Sequence, residues 1–161
     1  MLLLALLAAP ALAADPAGEA GLLAADPAAI ADYARAIGYR PQLSTDQTGD
    51  PWVRLGLAGM PGSIWFNDCN EQGRACESVR FQVGLLTTRK LTLAQVNDFN
   101  NRYRYATLSL DEDEDPLLNH DLRLGSGGVP ATTFGWTLRQ FEAVAAALRD
   151  LVNERERAAP D

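Results

Sequence analysis

The chain has 161 residues, 47% hydrophobic and 22% charged, which is apolar mass for one core and excludes a disordered chain, a collagen-like fibre and a polytopic membrane protein. Fourteen Lys and Arg against 21 Asp and Glu leave a net charge of −7, a poor match for nucleic acid or anionic lipid. One His and two Cys fall short of the four ligands that structural zinc usually takes.

Met1 to Ala13 reads MLLLALLAAPALA, an apolar run shorter than the roughly 20 residues that span a bilayer. It ends in Ala11-Leu12-Ala13, the small-x-small pattern of a signal-peptidase site. Cleavage after Ala13 is expected, with export to the periplasm and no stable membrane anchor. No Lys or Arg precedes the leucine run, and the alternative is a buried N-terminal helix. Export would put Cys69 and Cys76 in an oxidising compartment.

Residues 14–25 are small and Ala/Gly-rich and read as a flexible leader. Asp26 offers an N-cap and Pro27 a first helical residue. Ile30, Tyr33, Ala34 and Ile37 recur at helical spacing until Gly38 stops the run. A strand over Tyr39–Thr45, a turn at Asp46–Pro51 and a strand over Trp52–Leu57 follow. Gly59-Met60-Pro61-Gly62 predicts another turn. Ile64–Cys69 and Cys76–Leu86 read as an antiparallel hairpin. Val79, Phe81, Val83 and Leu85 share one face of it, with Ser78, Arg80 and Gln82 on a wet one.

Thr92 is placed to cap a second helix with the stripe Leu93, Val96, Phe99 and Tyr103. Strands are predicted over Tyr105–Leu110 and Leu117–Leu124, joined by the acidic turn Asp111–Asp115. Gly125-Ser126-Gly127-Gly128 reads as a flexible connection. Pro130 opens a last helix with Phe134, Leu138, Phe141, Ala145, Leu148 and Val152 facing the core. Residues 154–161 read as a charged, disordered tail. The expected fold is one α+β domain over residues 26–153, in the order α-β-β-β-β-α-β-β-α. Its helices pack on one face of an antiparallel sheet of about six strands.

An internal echo runs through this order. Asp46 to Val53 aligns with Asp111 to Leu118 at an offset of 65, and the preceding helices align at 66. Shared Asp-Pro turn chemistry explains this as well as a helix-hairpin duplication does.

The motifs of chemistry are few. His120 shares a strand face with Leu118, Leu122 and Leu124, which points to a packed histidine more than to a general base beside Asp121 or Ser109. There is no Gly-x-Ser-x-Gly elbow, P-loop or dinucleotide fingerprint. Asp111, Asp113 and Asp115 start like a calcium loop. Pro116 and Leu122 stand where its Gly and bidentate Glu belong, so a solvated acidic turn is expected. Cys69 and Cys76 lack Cys-x-x-Cys spacing. They flank a hairpin loop and are expected to form a structural disulfide. Trp136 lies about 160° around its helix from Phe134, on a face continued by Ala143 and Ala147. That face either packs a partner or is buried within the monomer. Trp52 and Trp65 also fall opposite the apolar alternation of their strands.

Several of these segments together resemble the YbjN family of sensory-transduction regulators, from about Gly21 to Asn153. The carriers are Gly49-Asp50-Pro51, Cys69 with Cys76, Val96-Asn97-Asp98-Phe99-Asn100-Asn101-Arg102, Leu110-Asp111 to Asp115-Pro116, and Gly127-Gly128-Val129. Glu114 departs from the pattern, standing where the family commonly has Gly, and the signal peptide departs from cytoplasmic members. The resemblance implies a fold similar to type III secretion chaperones: a small α+β domain that binds other proteins, often as a dimer. It implies no enzymatic activity and no cofactor. The expected function is therefore a non-catalytic, exported protein-binding or chaperone-like module, with Trp52, Trp65 and Trp136 as contact residues. The partner is another protein or a second copy of the chain. The alternative is an envelope sensor domain for a small ligand or calcium.

Overall fold

The computed structural model describes residues 21–72 and 75–158. The expected signal peptide and cleavage after Ala13 fall outside the described residues. In chain order the elements are β1 (Leu22–Leu23), α1 (Pro27–Ala36), β2 (Gln42–Thr45), β3 (Pro51–Leu57), β4 (Met60–Asn67), β5 (Ser78–Gly84), α2 (Leu93–Arg102), β6 (Thr107–Leu110), β7 (Pro116–Arg123), β8 (Val129–Pro130) and α3 (Ala131–Arg157). Six strands form one antiparallel sheet in the order β2-β3-β4-β5-β7-β6, and β1 pairs with β8 separately.

Local chemistry sets the helix starts. The Asp26 carboxylate accepts the Ala29 N–H at 2.9 Å, and Pro27 occupies the first turn of α1. Thr92 and Gln95 form a reciprocal capping box at α2. Period-two alternation then gives the sheet one apolar face. Val53, Leu55, Leu57, Ile64, Phe66, Val79, Phe81, Val83 and Leu118 are buried along it. The α3 stripe of Phe134, Leu138, Phe141, Ala145, Leu148 and Val152 is buried in the same core. Ile30 and Ala34 of α1 and Val96 and Phe99 of α2 are buried as well. Truncating one of the central phenylalanines, such as Phe141→Ala, would cost about 3–5 kcal/mol.

The helix–hairpin echo is structural. Gln42 pairs with Arg54 in the first hairpin, and Thr107 with Asn119 in the second, each residue 65 further on. The turns repeat bond for bond. Asp46 N–H donates to the Asp50 carbonyl at 2.9 Å, as Asp111 N–H does to Asp115 at 3.0 Å. The Asp46 carboxylate accepts from Thr48 and Asp50 N–H, as that of Asp111 accepts from Asp113 and Asp115 N–H. The central strands obey the same relation at an offset of 19. Trp52 faces Trp65 as Leu117 faces Gly84, and Leu55 faces Gly62 as His120 faces Phe81. The sheet therefore has a pseudo-two-fold relation about the Ser63–Gln82 pair between β4 and β5.

Several expectations are corrected. The leader is not flexible throughout. Leu22–Leu23 pairs with β8, Leu23 is buried, and Ala25 bridges to Cys76. The glycine connection is a turn pressed against that segment: a Cβ at Gly128 would sit 2.7 Å from the Leu23 carbonyl oxygen. The turn expected at 59–62 is shorter. Ala58 and Gly59 both take positive φ, 51° and 80°, so two residues suffice and β4 starts at Met60. The start of the tail is helical to Arg157. Arg155 Nε donates to the Lys90 carbonyl at 3.1 Å, and the Glu156 carboxylate accepts Thr88 N–H at 2.7 Å and Arg89 N–H at 2.9 Å. Leu93 is 76% exposed and does not join the α2 stripe. Tyr103 falls beyond the helix and packs on Phe99, with ring centroids 4.5 Å apart.

Candidate functional site: the open sheet face

All three helices of the described residues contribute to one core, so the other face of the sheet carries the residues left out of it. Strand registers align them into rows. One row runs Ser44, Trp52, Trp65, Arg80, Asp121 across five strands. The next runs Gln42, Arg54, Ser63, Gln82, Asn119, Thr107 across all six.

These residues tie one another down. The Trp52 and Trp65 rings stack with centroids 4.8 Å apart and planes 10° apart. The Arg54 guanidinium lies 5.5 Å from the centre of the Trp52 ring, a cation–π distance. Trp65 Nε1 donates to Gln82 Oε1 at 3.0 Å, and Gln82 Nε2 donates to Asn119 Oδ1 at 2.9 Å. Arg80 makes a bidentate pair with Asp121, at 2.7 and 3.0 Å, and that carboxylate raises the Arg80 pKa. Arg123 pairs with Glu77 at the end of the same strands. The result is a pre-ordered plate of two half-buried indoles edged by amides and arginines. The Trp52 indole N–H is buried and has no acceptor among the described residues.

The structure brings together two of the three expected contact tryptophans. Trp52 and Trp65 touch. Trp136 lies in the helical layer, 48% exposed, with the Tyr105 ring edge-on at 5.2 Å. Tyr105 had no signal in its spacing, because it sits in a loop at φ +63° and not in the strand expected from residue 105.

The remaining candidates take structural places. Cys69 and Cys76 are joined by a disulfide, with Cα atoms 3.8 Å apart, and Cys76 is buried beside Ala25. His120 is half-buried against Phe81, with ring centroids 6.2 Å apart, and burial lowers its pKa. Glu142 pins the β3–β4 turn: its carboxylate accepts the Ala58 N–H at 2.9 Å and the Tyr39 hydroxyl at 2.6 Å.

The expectation of a solvated acidic turn is corrected at Asp115, which is 6% exposed. It accepts Thr87 N–H and Oγ1–H, each at 2.8 Å, and pairs with Lys90 Nζ at 2.6 Å. Those contacts, Lys90 first, lower its pKa. The sequence hides this because Lys90 lies 25 residues upstream. Among the described residues no group of three or more His, Cys, Asp or Glu is placed to hold a metal ion. No helix of the described residues is long and apolar enough to cross a membrane.

Three comparisons bear on this geometry. A family model described as "Putative bacterial sensory transduction regulator", YbjN, matches residues 26–154. No curated protein matches the chain. Among solved structures, an uncharacterized protein from Methanothermobacter thermautotrophicus is similar at a TM-score of 0.54 and 10% identity. The match covers 79% of this chain and 96% of that one. At that identity the likeness extends to the fold alone.

Proposed function

The chain belongs to the YbjN family, and from that premise we propose that it is an exported, non-catalytic regulatory module that binds another protein through its open sheet face. The observation that carries this reading is an asymmetry. The two halves share strand register, yet the places of Trp52 and Trp65 are taken by Leu117 and Gly84 in the other half. The fold is therefore built once without the indole plate. That asymmetry favours a role for the plate beyond folding.

Its chemistry suits a protein surface. Indoles and arginines are the side chains that anchor interfaces, and a plate already held by Gln82 loses little entropy on docking. The charge pairs at its rim would set orientation more than affinity. The N-terminal run supports export, and the Cys69–Cys76 disulfide is compatible with an oxidising compartment. A sensor role for a small ligand is the second reading. It draws on the family description and is tested by thermal-shift screening of metabolites and calcium.

The direct test is affinity isolation from the envelope at native expression, with wild type and a folded Trp65→Ala variant side by side. The expected result is a stoichiometric partner with the wild type only. Equal recovery with both would place the contact elsewhere.

A further inference from the structure

The two edges of the sheet are finished differently. In each outer hairpin the turn bond, from Asp46 N–H to the Asp50 carbonyl and from Asp111 N–H to that of Asp115, fixes which strand residues bond across the ladder. Bonded pairs alternate with unbonded ones. The backbone N–H and C=O of Leu108 therefore point away from β7, and those of Leu43 and Thr45 point away from β3. Pro51 and Pro116 stand at unbonded positions, where no N–H is needed.

At β6 the outward groups are taken. The Asn100 side chain of α2 does what a further strand would: its Oδ1 accepts Leu108 N–H at 2.8 Å, and its Nδ2 donates to the Leu108 carbonyl at 3.0 Å. Leu108 is 1% exposed. At β2 the matching helix position, 66 residues earlier, is Ala34, which has no amide to offer. Among the described residues no strand lies beyond β2. Leu43 is 53% exposed, and Thr45 is exposed as well. Gln42–Thr45 contains no charge and no proline, the devices that guard an edge against pairing. Beside it a hollow of about 610 Å³ is lined by Pro27 and Ala28 of α1 and by Leu43, Thr45 and Pro51, among others.

We propose that β2 pairs with β2 of a second copy, antiparallel about a two-fold axis at Ser44. In that register Leu43 faces Thr45 of the second copy, and every outward N–H and C=O of both residues is bonded. Leu43 of each copy enters the hollow beside Thr45 of the other and is covered there. Gln42 comes opposite Asp46 of the second copy, and Arg40 beside its Asp46 and Asp50, so the charges at the two ends of the strand match. Because α1 packs over both β2 and β3, a strand spacing of about 4.8 Å brings the two α1 helices to about 10 Å, a packing distance for helices. Asn100 closes the opposite edge, so pairing stops at a dimer and does not grow into a fibre. The joined sheet sets both Trp52–Trp65 plates on one face. The inference does not rest on those plates as a docking site, and either can fail without the other.

The test is sedimentation velocity of the purified protein over a concentration series. The expected result is a species of twice the chain mass whose share rises with concentration. Thr45→Pro removes only an outward N–H, hence half of the new backbone bonds, and should weaken the dimer by about tenfold or more. Leu43→Lys should weaken it as well, by placing a charge at the centre of the new edge. Both variants should keep the wild-type circular dichroism spectrum, and Leu43→Lys decides if Thr45→Pro does not. Trp65→Ala should dimerise as the wild type does. Ser44→Cys, on the two-fold axis, should give a disulfide-linked dimer under mild oxidation, and Thr107→Cys on the closed edge should not. A monomer at every concentration, or a dimer indifferent to Leu43→Lys, overturns the proposal. Loss of the dimer in Trp65→Ala, or equal crosslinking from positions 44 and 107, places the contact elsewhere and overturns it too.

Discussion

Exchanging the residues at positions 49 and 114 isolates a single backbone effect. Both sit at the same step of the same turn, with φ +94° at Gly49 and +59° at Glu114. A residue with a Cβ in the left-handed region costs about 1–2 kcal/mol, whereas glycine there costs about 0.5–1 kcal/mol in unfolded-state freedom. Glu114→Gly should therefore stabilise the protein by about 0.5–1 kcal/mol. The Asp111 hydrogen bonds use backbone N–H and survive the change. A Cβ built at Gly49 meets nothing within 4 Å, so Gly49→Glu loses only through the backbone, by about 0.5–1 kcal/mol once the unfolded-state freedom removed with the glycine is set against the strain. Urea denaturation of the two single variants and the double exchange reads this directly, and the m-value should stay constant. If Glu114→Gly destabilises, or Gly49→Glu is neutral, the repeat of turn geometry is not what governs these positions.

The disulfide closes seven residues of separation, and replacing both cysteines by serine should cost about 2–3 kcal/mol in the chain-entropy model, read as a lower urea midpoint. The Asp115 pKa is held below its ordinary 3.8. Its contribution is therefore complete above that value and is lost as pH falls through the lower folded pKa. Asp115→Asn should flatten this acid limb of the stability profile. Burial lowers the pKa of His120 from 6.5, so stability should begin to fall as pH drops below 6.5, and His120→Gln should remove that step. Trp136→Ala should leave the melting temperature nearly unchanged, because the side chain is 48% exposed. If Trp136 anchors an interface, association should weaken roughly thirtyfold, or about 2 kcal/mol. Unfolding of that variant would make Trp136 core.

Most of the fold was legible because its elements announce themselves locally. The α3 stripe runs unbroken from Phe134 to Val152, and Val79, Phe81 and Val83 alternate without exception. What sequence missed depends on distant partners. Leu22–Leu23 reads as loose until β8 is beside it, and the first turn of the tail until Glu156 meets Thr88 and Arg89. The site was half legible. Strand parity put Trp52 and Trp65 on one face, but only the β3–β4 register makes them stack. The echo was visible in two turns, at an offset of 65, and in two helices, at 66. Its extension to β4 and β5 was not, because Trp65 and Gly84 share no chemistry.

The central claim is that the Trp52–Trp65 face docks a protein. Photocrosslinking in living cells tests it most directly, with a photoreactive residue placed at Ser63 beside the indole plate and, as control, at Arg35 on the exposed side of α1. The account predicts one discrete adduct from position 63, absent from position 35 and lost in Trp65→Ala. Matching adducts from both positions, or an adduct at 63 that survives Trp65→Ala, would contradict it.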